Sequence, residues 1–373
     1  MDDGSPSVES RLEAWLGAIL PGATRIGVEG QGRVDVGHSA ETLLFTVHWS
    51  AGGRAERRDV VLRIRPPRPG LLEPYDLARQ YRVLQGLAGT GVRAPAALWY
   101  EPTGEVIGRE FYVMQRSPGV VHERGVPDHV RRDPALVRRM CESLVEQIAA
   151  IHTVDLRATG LDALGDGRDY LDRELDHWSA EIARWQGEAF PALDRLIAEL
   201  RARQPAPNPT VTLVHGDCKP GNFAFEDGRV SAVFDWELAT VGDPRADIGW
   251  AEILWSSPGY VTAAPGALPV ERFVARWEEL TGLTAEHRPW YRAFQALKMA
   301  AIMFVGGQLV DAGHSDDVRL ADMAQVVHPV TQRALGDLGV DEPLPAGPIL
   351  PRPERVEAVR AGSGVRRGAP MVP

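Results

Sequence analysis

The sequence predicts an α+β protein of two lobes, a small antiparallel-sheet N-lobe and a larger, mostly helical C-lobe. Three observations carry that prediction. Runs rich in β-branched residues crowd the first third of the chain, and helical periodicity dominates from residue 134 onward. One short β-rich island, residues 211–234, interrupts the helices. The chain has 373 residues, 44% hydrophobic and 25% charged, which is enough for two lobes with a core each.

In chain order, the spacing predicts a helix over 11–20. Residues 42–49 (Thr-Leu-Leu-Phe-Thr-Val-His-Trp) read as a strand, 50–53 as a Gly-Gly turn, and 59–64 as the next strand. Leu77, Tyr81, Leu84 and Leu87 share one helical stripe within 76–87. Residues 110–114 form a further strand. The Ser117-Pro118-Gly119 break behind it sets the lobe boundary, giving an N-lobe over 1–116 and a C-lobe over 117–340. Amphipathic segments at 134–153, 170–185, 191–203 and about 270–338 build the second lobe. Residues 341–373 are rich in Pro, Gly and Arg without periodicity, and read as a disordered tail.

A net charge of −10 argues against nucleic-acid binding, which needs a basic face, and against docking on anionic lipid. Cys141 and Cys218 stand far apart in no metal-like spacing, so neither a disulfide framework nor a zinc site is expected. Met1-Asp2-Asp3-Gly4 lacks the apolar run of a signal peptide. The most apolar stretch, 293–310, is interrupted by Gln295, Lys298 and Gln308 and reads as a buried helix rather than a membrane span. These features together predict a cytoplasmic monomer or homodimer with no nucleic-acid or membrane partner.

The island carries the chemistry. It reads as a strand, then His215-Gly216-Asp217-Cys218-Lys219-Pro220-Gly221-Asn222, a strand, an Asp227-Gly228 turn, a strand, and Asp235-Trp236-Glu237. Asn222 precedes the hairpin's first strand and Asp235 follows its second. Cross-strand spacing therefore brings the two within roughly 5–8 Å at the open end. The loop before Asn222 brings Asp217 to the same end. Two carboxylates and an amide oxygen make a hard-oxygen site of the kind that holds magnesium together with phosphate.

His215-x-Asp217-x-Lys219-Pro220-x-Asn222 resembles the catalytic loop of protein kinases, and Asp235 stands where their metal-binding Asp would be. Gly216 after the histidine and Asp-Trp-Glu at 235–237 make the chain more similar to aminoglycoside phosphotransferases and choline kinases. With Gly242-Asp243-Pro244-x-x-Asp247-Ile248-Gly249-Trp250, it looks most like the branch containing the kinase-like domain of acyl-CoA-dehydrogenase-associated proteins. Gly37-His38-Ser39 resembles the nucleotide-covering turn, Arg63 the third-strand cation, and Met114-Gln115 the hinge at the adenine edge. The match runs over about 28–338.

The resemblance implies a protein-kinase-like fold and transfer of the γ-phosphate of ATP or GTP to a small-molecule hydroxyl. It assigns magnesium to Asn222 and Asp235, the acceptor's proton to Asp217, and a point charge at the γ-phosphate to Lys219. Arg63 would neutralise the α- and β-phosphates, His215 would brace the loop, and Asp247 would pin its backbone. Glu237 and Asp243 read equally well as solvated loop charges or as ligands. Arg65 lies on the same strand face as Arg63, so the sequence does not separate them. The chain departs from the pattern at Gln80, where a glutamate usually pairs with the third-strand cation; Gln80 can hydrogen-bond Arg63, and Glu73 is an alternative partner. That departure motivates a second hypothesis, a catalytically weak nucleotide-binding scaffold. A two-carboxylate glycoside hydrolase is disfavoured, because that chemistry needs neither Lys219 nor Asn222. The absence of an Ala-Pro-Glu element and of an activation segment points away from a protein acceptor. Aminoglycoside-like antibiotics, sugars, amino alcohols and hydroxyacyl metabolites remain as candidates.

Overall fold

The computed structural model describes residues 6–33, 41–123, 125–348 and 351–363. The chain divides into two compact units. One comprises the residues up to Gly89 with Ala94–Pro118, and the other Thr90–Arg93 with the residues from Gly119 on. The division after Pro118 falls at the predicted Pro-Gly break.

The first unit contains α1 (Val8–Ile19), β1 (Thr24–Arg33), β2 (Glu41–Ala51), β3 (Arg54–Ile64), α2 (Leu77–Leu87), β4 (Ala97–Glu101) and β5 (Phe111–Gln115). Its sheet runs β1-β2-β3-β5-β4 and is antiparallel throughout. Alternation puts Phe45 and Val47, Val60, Leu62 and Ile64, and Phe111 and Val113 on one face, where Leu12 and Leu16 of α1 close over them. Each such side chain contributes about 1.5–3 kcal/mol on burial. Ser7 caps α1 by accepting the Ser10 N–H, and Glu13 ties the helix to the sheet by accepting the Val28 N–H at 2.9 Å.

The second unit is helical around two small sheets. Its helices are α3 (Asp128–Arg131), α4 (Pro134–His152), α5 (Tyr170–Trp185), α6 (Pro191–Ala202), α7 (Arg245–Trp255), α8 (Val270–Thr281), α9 (Arg288–Asp311), α10 (Val318–Ala324), α11 (Val327–Asp337) and α12 (Pro353–Ser363). Strands β6 (Val120–Val121), β8 (Phe223–Glu226) and β9 (Arg229–Val233) form one antiparallel sheet, and β7 (Thr212–Val214) pairs with β10 (Thr240–Gly242) in the other. The architecture is thus the predicted α+β pairing of a small antiparallel-sheet lobe and a larger helical lobe.

Helix α9 is long and apolar enough to cross a membrane, but 83% of its apolar window is buried inside the molecule, as befits a core helix. The tail departs from expectation over Pro353–Ser363, which is helical. Its polar sequence is anchored by ion pairs from Arg352 to Asp311, Arg355 to Asp316 and Arg360 to Asp322. Partners that far away in sequence leave no local signal.

Candidate active site

The β8–β9 hairpin turns at Asp227-Gly228 and pairs Phe223 with Val233, but a bulge between Ala224 and Phe225 on β8's pairing with β9 shifts the register. The shift moves the pairing one residue along β9, so that Phe234 rather than Val233 lies opposite Asn222, its N–H donating to the Asn222 carbonyl at 2.8 Å. Asp235 sits one residue further on with φ +66° and ψ 57°, a left-handed conformation that is uncommon for a side-chain-bearing residue. A short 3-10 turn, Trp236–Leu238, follows and contains the partly exposed Glu237.

The loop between β7 and β8 is held from beneath. Asp247 of α7 accepts the His215 N–H at 2.7 Å and the Gly216 N–H at 2.8 Å. His152, the last residue of α4, meets Asp247 Oδ2 at 3.0 Å, and Trp277 of α8 donates its indole N–H to His152 Nδ1 at 2.9 Å. An indole can only donate, so the His152 proton resides on Nε2, facing the carboxylate. Burial pushes the Asp247 carboxyl upward, but the hydrogen bonds it accepts from His152 and the His215 N–H outweigh it and leave the group below its ordinary range. His215 spends both ring nitrogens on backbone: Nδ1 accepts the Asp217 N–H at 3.1 Å, and Nε2 donates to the Phe234 carbonyl at 2.8 Å. Cys218 is fully buried, and burial raises its thiol well above its usual range, so it is no nucleophile.

Asp217 emerges from this braced loop. Its Oδ2 accepts Asn222 Nδ2 at 2.8 Å and lies 3.4 Å from Lys219 Nζ, while Asn222 Nδ2 also donates to the Asp217 backbone carbonyl at 2.9 Å. Among the described residues, Asp217 Oδ1 is buried without a hydrogen-bond partner. Burial acts to raise the Asp217 carboxyl, and Lys219, His215 and the Asn222 hydrogen bond more than reverse it. Lys219 lies 3.8 Å from Glu123. Burial lowers its pKa, but Asp217, Asp235 and Glu123 together raise it well above the ordinary value. Tyr260 and Glu123 line the same loop, because a Cβ on Gly221 would stand 3.1 Å from the Tyr260 ring and 3.2 Å from the Glu123 stem. Burial, followed by the opposed charges of Lys219 and Glu123, pushes the Tyr260 phenol up to about 12.

In the sheet unit, Gly37, His38 and Ser39 lie outside the described residues. Arg63 reaches Thr42 Oγ1 at 3.2 Å and the Tyr75 hydroxyl at 3.5 Å. Arg65 is committed to Glu110 at 2.7 Å, which separates the two arginines as the sequence did not. Gln80 is 1% exposed. Its Oε1 accepts the Tyr112 hydroxyl at 3.3 Å, and its Nε2 has no partner among the described residues. Glu73 accepts the Gly70 and Tyr75 N–H groups within its own loop. The Gln115 N–H donates to the Ala96 carbonyl at 2.9 Å, so an edge contact with a base at this residue would use its carbonyl.

Asp243 takes no part. It is buried in a bidentate pair with Arg245, 2.7 Å at the closest, and accepts the Tyr291 hydroxyl at 2.6 Å. Sequence reasoning missed His152, Trp277, Lys298, Glu123 and Tyr260. Of these only Lys298 left a sign, as a charge inside the most apolar stretch.

The profile of the phosphotransferase enzyme family matches residues 37–294, well over half of the chain. The chain belongs to that family. It shares 33% identity over 255 residues with acyl-CoA dehydrogenase family member 11 of Rattus norvegicus, covering 66% of this chain and 31% of that protein. It shares 33% over 207 residues with family member 10 of Mus musculus, covering 55% and 19%. The chain therefore spans a third or less of the length of these two relatives. Among solved structures, one described as a candidate aminoglycoside phosphotransferase from Ralstonia eutropha aligns with a TM-score of 0.70 and 28% identity, covering 88% of this chain and 98% of that one. An aminoglycoside phosphotransferase in complex with ADP and hygromycin B shares the fold, with a TM-score of 0.56 and 18% identity over 87% of this chain and 98% of that one. The fold is protein-kinase-like.

Proposed function

We propose that the chain transfers the γ-phosphoryl group of ATP or GTP to a hydroxyl of a small molecule, with Asp217 receiving the hydroxyl's proton. One observation carries the reading. Asp217 Oδ2 is tied down by Asn222 and Lys219, while Oδ1 is buried with no hydrogen-bond partner among the described residues. A buried carboxylate oxygen left unpaired is costly, and an incoming hydroxyl would satisfy it. The depressed pKa of Asp217 keeps it ionised and able to accept.

The donor set fits a magnesium nucleotide. Asn222 spends its amide nitrogen on Asp217, which leaves its side-chain oxygen as the group for a cation, and Asp235 adds a carboxylate from the next turn. Among the described residues no three His, Cys, Asp or Glu side chains converge on a metal position, so phosphate oxygens would complete the shell. Magnesium, when bound, supplies neutralisation of the phosphate charge. Lys219, already charged and adjacent to Asp217, would turn from its carboxylates to the γ-phosphate. Arg63 keeps its proposed role toward the α- and β-phosphates, and the cytosol is the proposed location. Among acceptors, a hydroxyacyl thioester is favoured over an antibiotic or sugar by the acyl-CoA dehydrogenase names of the curated relatives.

A second reading, a weak nucleotide-binding scaffold, is favoured by one feature: Gln80 offers Arg63 no charge. Incubation with γ-labelled ATP and a panel of hydroxyacyl thioesters, aminoglycosides, sugars and amino alcohols tests both. The expected result is label in one acceptor class, reduced roughly 10²–10⁴-fold in Asp217→Asn. Equal label transfer by wild type and Asp217→Asn would instead support the scaffold.

A further inference from the structure

Lys298 lies in the middle of α9, a long and largely apolar helix, and is 3% exposed. An ammonium is expensive to bury, and a leucine or methionine would fill the same space without that penalty. Its Nζ donates to the Gly216 carbonyl and stands 5.0 Å from the centre of the Trp250 ring. Burial lowers the Lys298 pKa below its ordinary value, and the charges of Glu174, Asp247 and Asp217 offset that only in part.

Gly216 is the residue from which Asp217 departs. Its φ of +83° is left-handed, and a Cβ there would lie 2.5 Å from the Leu238 carbonyl, so only glycine fits. A glycine in such a conformation has little of its own to hold it. Its N–H is taken by Asp247 of α7 at 2.8 Å and its carbonyl by Lys298 of α9. The two peptide groups that flank this single flexible residue are thus gripped by opposite charges from two different core helices.

We propose that Lys298 is a positioning residue, whose grip on the Gly216 carbonyl fixes the direction in which the Asp217 carboxylate leaves the loop. The inference rests on the phosphotransfer reading for its consequence in catalysis, but not for the clamp itself. A purely structural lysine would affect stability and leave turnover alone. A positioning lysine must affect turnover while nucleotide binding is spared, because small misplacements of a reacting group cost rate rather than affinity.

The test uses the full chain as Lys298→Met and Lys298→Arg, with hydrogen exchange of the 213–222 segment measured beside transfer kinetics. In Lys298→Met, exchange in that segment should rise about 10-fold while segments of α7 and α9 stay protected. Turnover should fall about 10²-fold, with KM for the nucleotide held within about 3-fold. Lys298→Arg keeps a charged donor and should recover turnover to within about 10-fold, and loop exchange to within about 3-fold, of wild type. Unchanged loop exchange in Lys298→Met overturns the proposal, as does raised exchange with unchanged turnover. If Lys298→Met does not fold, the arginine variant decides: retained loop protection and turnover support the clamp, and loss of both overturns it. If the wild type labels no acceptor, the functional reading fails, while the exchange measurement still decides whether Lys298 holds the loop.

Discussion

Asp247 shows how much of the site rests on one side chain. It accepts from two consecutive backbone N–H groups and from His152, which in turn is fixed by Trp277. Its folded pKa lies below the ordinary 3.8, so the stability it contributes is fully present above that value and is lost as pH falls through the folded pKa. Asp247→Asn should therefore cost about 2–3 kcal/mol at pH 7, with a gap to wild type that is flat down to about pH 4 and narrows below it. Urea unfolding at pH 7, 5 and 3 reads this directly, and a gap as wide at pH 3 as at pH 7 would contradict it. The contact between Asp217 and Asn222 was legible because both lie in one short loop beside a local hairpin with a turn signal at its tip. Lys298 and His152 were not, since they reach the loop and Asp247 from 82 and 95 residues away. No periodicity records such a contact. The bulge that brings Phe234 opposite Asn222, one residue short of Asp235, was equally hidden, because a bulge changes register without changing composition.

At the scale of elements, α7 and α9 deliver Asp247 and Lys298 to opposite ends of the same glycine, and that requires the two helices to pack closely. Gly249 permits it, as a Cβ there would lie 2.6 Å from the Tyr291 carbonyl. Helix propensity alone makes Gly→Ala stabilising by up to about 1 kcal/mol. The packing predicts the opposite sign, a loss of about 1–3 kcal/mol on Gly249→Ala, because backbone must move to admit the methyl. Equilibrium denaturation of the variant gives the sign, and a gain in stability would show that α7 and α9 do not meet in this way. Elements with one wet face were readable: α5 runs over Tyr170–Trp185, as its stripe predicts. α7 is buried on nearly every side and has no stripe to read. β4 and β6 are too short to show alternation, and α12 is held by distant ion pairs rather than by an apolar face.

At the scale of the whole molecule, the fold class followed from the order of its parts: strands first, then helices, with one β island carrying the polar residues. Family membership agrees with that order across residues 37–294. The acceptor was not legible, because the helices of the second unit carry no motif that names a ligand. The chain also spans only 19% and 31% of the two curated relatives compared here. The central claim is that Asn222 and Asp235 hold the divalent ion of a nucleotide complex while Asp217 serves the acceptor. Titration of the manganese–ATP complex, followed by the ion's electron paramagnetic resonance, tests it most directly. Asn222→Ala and Asp235→Ala should weaken binding about 10–100-fold, whereas Asp217→Asn should stay within about 3-fold of wild type. Equal binding by wild type, Asn222→Ala and Asp235→Ala would contradict the account.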